Sequence, residues 1–197
     1  MADKDILYWS RNLATSLLEC LGDRWLHTQH VIKLAMQIAC ILPDDDSDLL
    51  VAAAYLHDIG YAPSLSQTGF HPIDGAYYIE GLGEYRLASI VAYHSGSRFT
   101  ATMLHMSQEL SHFPYEHSLL IRCLNFCDMH SGPSGQPFTL TQRRDDILAR
   151  YGRKHVVSYS FLASLPSLRN DVSIVQRRLK RYPAISKTVL SSFSSNQ

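Results

Sequence analysis

The sequence predicts one all-α domain, and three observations carry that prediction. Apolar residues recur with a 3.6-residue period along most of the chain, alternating runs of strand type are scarce, and clusters of Pro, Gly and Asp interrupt the periodic stretches at helix-length intervals. The 197 residues suit a single core, and 46% hydrophobic with 18% charged content belongs to a folded chain.

Taken in order, the periodicity predicts helices over 5–21 and 24–42, ended by Pro43 and the acidic run Asp44 to Asp46. A third covers 47–58, with Gly60 as its stop and Pro63 beyond. Helices over 73–82 and 84–94 follow the turn from Gly69 to Pro72, and another covers 98–110 before Pro114. The next, 116–130, runs into a loop, Ser131-Gly132-Pro133-Ser134-Gly135-Gln136-Pro137. Thr139 and Gln142 form a capping-box pattern for a helix over 139–151. Helices over 155–164 and 167–181 complete a domain spanning 1–181, and the Ser-rich stretch 182–197 is expected to fray.

Composition excludes several roles. Lys+Arg and Asp+Glu number 18 each, so the net charge is zero and no long-range attraction to nucleic acid or an anionic membrane is expected. The basic run Arg177-Arg178-Leu179-Lys180-Arg181 reads as a solvated helix face. The start, Met1-Ala2-Asp3-Lys4-Asp5, lacks a secretory pattern, and the longest apolar run, Leu49 to Leu56, is too short to span a bilayer. Cys20, Cys40, Cys123 and Cys127 form no redox or zinc motif. The expected setting is the reduced cytoplasm, with no membrane and no nucleic-acid partner, and a homo-oligomer is left open.

The informative residues are ionisable groups on faces that should be core. His27 precedes the stripe Val31, Leu34, Ala35, Ile38 and Leu42 by one turn and so points inward, whereas His30 aligns with Lys33 and Gln37. The all-apolar helix Leu49 to Leu56 ends abruptly in His57-Asp58. Asp128 continues the stripe of Leu120, Ile121, Leu124 and Cys127. Isolated carboxylates among leucines would cost several kcal/mol. A divalent cation held by these carboxylates and neutral imidazoles removes that cost.

Three segments then match a known pattern: Arg24-Trp25-Leu26-His27, Leu56-His57-Asp58-Ile59-Gly60 and Asn125-Phe126-Cys127-Asp128-Met129. In order and spacing they resemble the HD-domain superfamily of metal-dependent phosphohydrolases, over roughly residues 20 to 135. The resemblance implies His27, His57, Asp58 and Asp128 as metal ligands. Phe70-His71-Pro72-Ile73-Asp74-Gly75-Ala76 and Val91-Ala92-Tyr93-His94-Ser95-Gly96 resemble the two-metal branches, similar to diadenosine-tetraphosphatase-like and HD-GYP-like proteins. That likeness adds His71 and His94 as ligands, with Asp58 bridging. The second His common in those branches is Ser95 here, the Lys often found after His-Asp-x-Gly is Tyr61, and no Gly-Tyr-Pro signature is present.

The implied chemistry is phosphate ester or phosphoanhydride hydrolysis on a nucleotide or similar small phosphorylated molecule, with one or two ions of Mn, Fe, Co, Ni, Zn or Mg activating water. Arg24, one turn before His27, can meet a phosphate through its planar fork, and Arg98 is a weaker candidate better read as an ion-pair partner. Asp74, one turn after His71, is a candidate to orient a ligand or accept a proton, or else to stabilise its helix N-terminus. His130 and His117 are the remaining histidines expected nearest the pocket. The alternative role is a non-catalytic regulatory module that binds metal or nucleotide.

Overall fold

In the computed structural model, which describes residues 5–194, eleven α-helices and no β-strand build these residues. Asp5 caps α1 (Ile6–Leu18) by accepting from the amides of Leu7 and Tyr8. After α2 (Asp23–Ile38), the acidic run expected to separate helices instead forms the first turn of α3 (Asp44–Leu56) behind Pro43, where three carboxylates complement the helix dipole. Every residue of α3 from Leu49 to Leu56 is buried, so this helix is the axis of the core. It packs against α1, α2, α5 (Tyr85–Ala92) and α8 (Leu119–Met129).

Between these lie α4 (His71–Gly81), α6 (Ser97–Met103) and α7 (Ser107–Leu110). The last two replace the single helix expected over 98–110, because His105 takes a left-handed conformation between them. Thr139 and Gln142 close the capping box of α9 (Leu140–Tyr151).

The two helices expected over 155–164 and 167–181 are one, α10 (Val156–Leu179), which continues through Pro166. Its buried stripe of Phe161, Leu165, Leu168, Val172 and Val175 packs on α6 and α8 on both sides of the proline, and that tertiary burial outweighs the lost backbone bond. The stretch from 182, expected to fray, is helical over Pro183–Ser194 as α11. Ile185, Val189 and Phe193 make an i, i+4, i+8 stripe among the serines, and the last two are buried. No described helix is long and apolar enough to cross a membrane.

Candidate metal centre

The polar residues flagged in the sequence come from the ends of helices that meet on one side of α3. His27 lies one turn into α2, His57 and Asp58 directly follow α3, and His71 opens α4. His94 begins the tight turn after α5, and Asp128 is the penultimate residue of α8. All but His71 are essentially buried.

Gly60, expected as the stop of the helix before it, also fixes part of this geometry. It sits in the 3₁₀ turn Ile59–Tyr61, where an added Cβ would lie 2.0 Å from the His71 carbonyl oxygen. Only a glycine lets the His57-Asp58 turn approach the start of α4 so closely.

The ligand atoms form two groups with Asp58 at their junction. His27 Nε2, His57 Nε2 and Asp128 Oδ1 make the first, and Asp58 with His71 and His94 the second; within each group all atoms lie within 4.8 Å of one another. Asp58 Oδ2 is 3.3 Å from His57 Nε2 and 3.7 Å from His27 Nε2. Its Oδ1 is 3.3 Å from His71 Nε2 and 3.8 Å from His94 Nε2. One carboxylate thus presents an oxygen to each group.

The imidazoles are held in one tautomer. Nδ1 of His27, His57 and His94 lies 3.1, 2.9 and 2.6 Å from the carbonyl oxygens of Gly132, Ala54 and Val91. A carbonyl only accepts, so each Nδ1 carries hydrogen and the neutral ring offers its Nε2 lone pair. Nε2 of His27 and His57, with Asp128 Oδ1, are buried and make no hydrogen bond. His27 Nε2 and Asp128 Oδ1 are 3.0 Å apart, two lone-pair bearers in contact. Donor atoms at ~2.0–2.2 Å from a small dication stand roughly 2.8–3.6 Å from each other, so this separation fits a shared divalent ion.

Electrostatics agree with this fit. Burial alone would raise the carboxyl of Asp58, yet Arg24 and His57 hold it well below the usual range. Asp128 is likewise depressed against its burial. Burial pushes His27, His71 and His94 down toward the neutral, ligating form. His57 alone is raised despite burial, by the Asp58 carboxylate.

The HD domain family model matches residues 24–143, more than half of the chain, and contains both ligand groups. The chain belongs to the HD-domain family. Comparison with curated proteins and with solved structures gives no match.

Within the HD domain, Arg24 sits at the mouth of the centre, its Nη1 2.7 Å from Asp58 Oδ2 and its guanidinium 4.0 Å above the Tyr61 ring. Tyr61 in turn stacks on His71 at 3.9 Å, so the aromatic residue in the place of the family's frequent lysine braces two site residues. Asp74 does not join them. Its oxygens accept from the amides of Thr68 at 2.8 Å and Gly69 at 3.2 Å, which ties down the loop before α4 and leaves no free oxygen aimed at the centre. Arg98 is exposed and donates to Ser167. His117 is exposed beside Tyr115, and His130 is buried between Phe126 and Phe193, so neither reaches the cleft.

Three contributors were not singled out in the sequence. Arg143 Nη2 is 3.5 Å from Asp128 Oδ1; its spacing to Ile147, the buried residue of α9, was the available signal. Gly132, in a loop read only as a connector, supplies the carbonyl that orients His27. Ser95, noted only as a departure, is left-handed at φ 54° and donates its hydroxyl to Asp128 Oδ2. Its amide donates to Asn125 Oδ1 at 2.7 Å, and Asn125 Nδ2 donates to Asp171, which also pairs with Arg122. No local sequence pattern announces that chain of contacts.

Proposed function

We propose that this HD-domain protein is a phosphohydrolase that uses two divalent ions and acts on a small phosphate ester or anhydride, with nucleotides the first class to test. The observation that carries the reading is the division of Asp58 between two ligand groups at the floor of a cleft of about 410 Å³. His27, His57 and Asp128 would hold one ion, His71 and His94 the other, with Asp58 shared. Bound there, divalent ions supply Lewis acidity toward phosphoryl oxygens and acidify a water at neutral pH.

The chain's own residues do the rest. Arg24 and Arg143 line the cleft on either side of the centre and offer guanidinium donors to phosphoryl oxygens. Carbonyls of Gly132, Ala54 and Val91 fix the imidazoles, so no reorganisation is needed when substrate arrives. A cytoplasmic setting accompanies this reading, and all four cysteines are free of disulfides.

The test is phosphate release from a panel of nucleoside mono-, di- and polyphosphates and simple phosphate esters by Mn-loaded protein. Turnover that disappears in His57→Ala and Asp58→Ala supports the reading. Equal inactivity of folded wild type and variants across the panel would leave a binding module in its place.

A further inference from the structure

The cleft is charged at one end only. At its deep end stand Arg24 and Arg143, beside Asp58 and Asp128, and among the described residues no other Lys or Arg lines it. Outward from Arg143, α9 contributes Ile147 and Tyr151 at i+4 and i+8, so a single helix face runs from cation to aliphatic to aromatic. Across the opening α10 presents Val157 and Phe161, again one turn apart, with Ser160 and Ser164 between and beyond them donating their hydroxyls to the Val157 and Phe161 carbonyls, and Leu104 closes the wall after α6. Arg153 and Lys154, the next cations along the chain, are exposed in the connection between α9 and α10 and lie outside the lining.

Arg143 carries a second signal. Its side chain is 11% exposed, and its Nε is buried with no hydrogen-bond partner. The guanidinium Nη2 stands 3.5 Å from Asp128 at the ligand groups, and from the cleft wall the group can donate to a phosphoryl oxygen.

We propose that the cleft selects a phosphomonoester with one phosphoryl group and an apolar, aryl or alkyl body. The phosphoryl group lies between Arg24 and Arg143 above the ligand groups, and the body packs on Ile147, Tyr151 and Phe161. This rests on the phosphohydrolase reading for the deep end and adds the rest of the substrate. A second phosphate would have to leave water and lie along Ile147, Val157 and Phe161, where no cation replaces its hydration. An apolar body at the same place gains by leaving water and meets an aromatic ring. The volume of about 410 Å³ suits a small ligand.

Titration calorimetry of the full-length, Mn-loaded protein with three phosphonates that cannot be hydrolysed tests the proposal: phenylphosphonate, methylphosphonate and phosphonoacetate. The phenyl compound should bind about tenfold or more tighter than either of the others. Tyr151 is 41% exposed, so Tyr151→Ala should keep the fold. That variant should remove most of the phenyl preference while changing methylphosphonate by no more than about twofold. Arg143→Lys, which lacks the planar guanidinium fork, should weaken all three probes by about tenfold.

Phosphonoacetate binding as tightly as phenylphosphonate would overturn the proposal, and so would a phenyl preference untouched by Tyr151→Ala. Phosphate release from phenyl phosphate, measured in parallel, separates the two levels. Absent turnover with the phenyl preference intact removes the phosphohydrolase reading alone, whereas turnover with the preference reversed removes the substrate class alone.

Discussion

His27 Nε2 and Asp128 Oδ1 face each other at 3.0 Å inside the protein, and neither makes a hydrogen bond. His27 Nδ1–H is committed to the Gly132 carbonyl, so the contact is between two acceptors unless a cation lies between them. Metal binding and fold stability are therefore linked. At a hundredfold excess over its dissociation constant, an ion adds about 2.7 kcal/mol, or roughly 5–10 °C in melting temperature for a chain of this size. Calorimetry with and without EDTA should show that difference once for each bound ion, so Asp128→Asn, which removes a ligand of one group only, should show about half of the wild-type shift. Identical melting with and without chelator would count against the linkage.

Ser95 spends a left-handed backbone conformation on a hydrogen bond to Asp128, and Asn125 holds it there. Ser95→Gly keeps the backbone shape but removes the hydroxyl. It should fold with unchanged stability or better, yet bind Mn about 10- to 100-fold more weakly. A variant with wild-type Mn affinity by equilibrium titration would show that the hydroxyl does not position Asp128.

How much of this was legible in the sequence depends on what each residue interacts with. His27, His57, Asp58 and Asp128 stood out because charge on an apolar helix face conflicts with helical periodicity, a local property. His71 and His94 lie at helix ends where a histidine has ordinary explanations, and only the family likeness raised them. Arg143, Gly132 and Ser95 act across 15 to 105 residues of chain, through contacts that no local spacing encodes. Asp74 shows the converse: its placement one turn after His71 pointed to the centre, but the loop amides of Thr68 and Gly69 captured both its oxygens. Pro166 and the serines of α11 misled in the same way, since burial of the stripes they interrupt overrode local propensity.

Gly60 is a packing requirement, with the His71 carbonyl 2.0 Å from where its Cβ would be. Gly60→Ala should cost about 1–3 kcal/mol through overpacking and displace His71 from its group. Urea denaturation measures the first effect and the stoichiometry of bound Mn the second. A variant as stable as wild type with full Mn content would remove this role.

His30 gives an acid-sensitive contribution to stability. The Ser131 hydroxyl donates to the Cys127 carbonyl, so it accepts from His30 Nδ1–H at 2.8 Å. Burial, then the nearby Lys33 and His27, push the His30 pKa down to about 4. The unfolded chain takes up that proton near its ordinary pKa of about 6.5, so stability falls as pH drops from about 6.5 toward 4 and levels off below. His30→Gln should show a shallower loss over that window than wild type, by urea unfolding at several pH values. Equal slopes would mean that His30 does not titrate differently in the two states.

The measurement that bears most directly on the centre is the metal content of purified protein reloaded with Mn and desalted. Two ions per chain are expected in wild type, one in His27→Ala and one in His94→Ala, and none in Asp58→Ala, whose carboxylate serves both groups. A wild-type content near zero, or a content that all three substitutions leave unchanged, would contradict a centre built around Asp58.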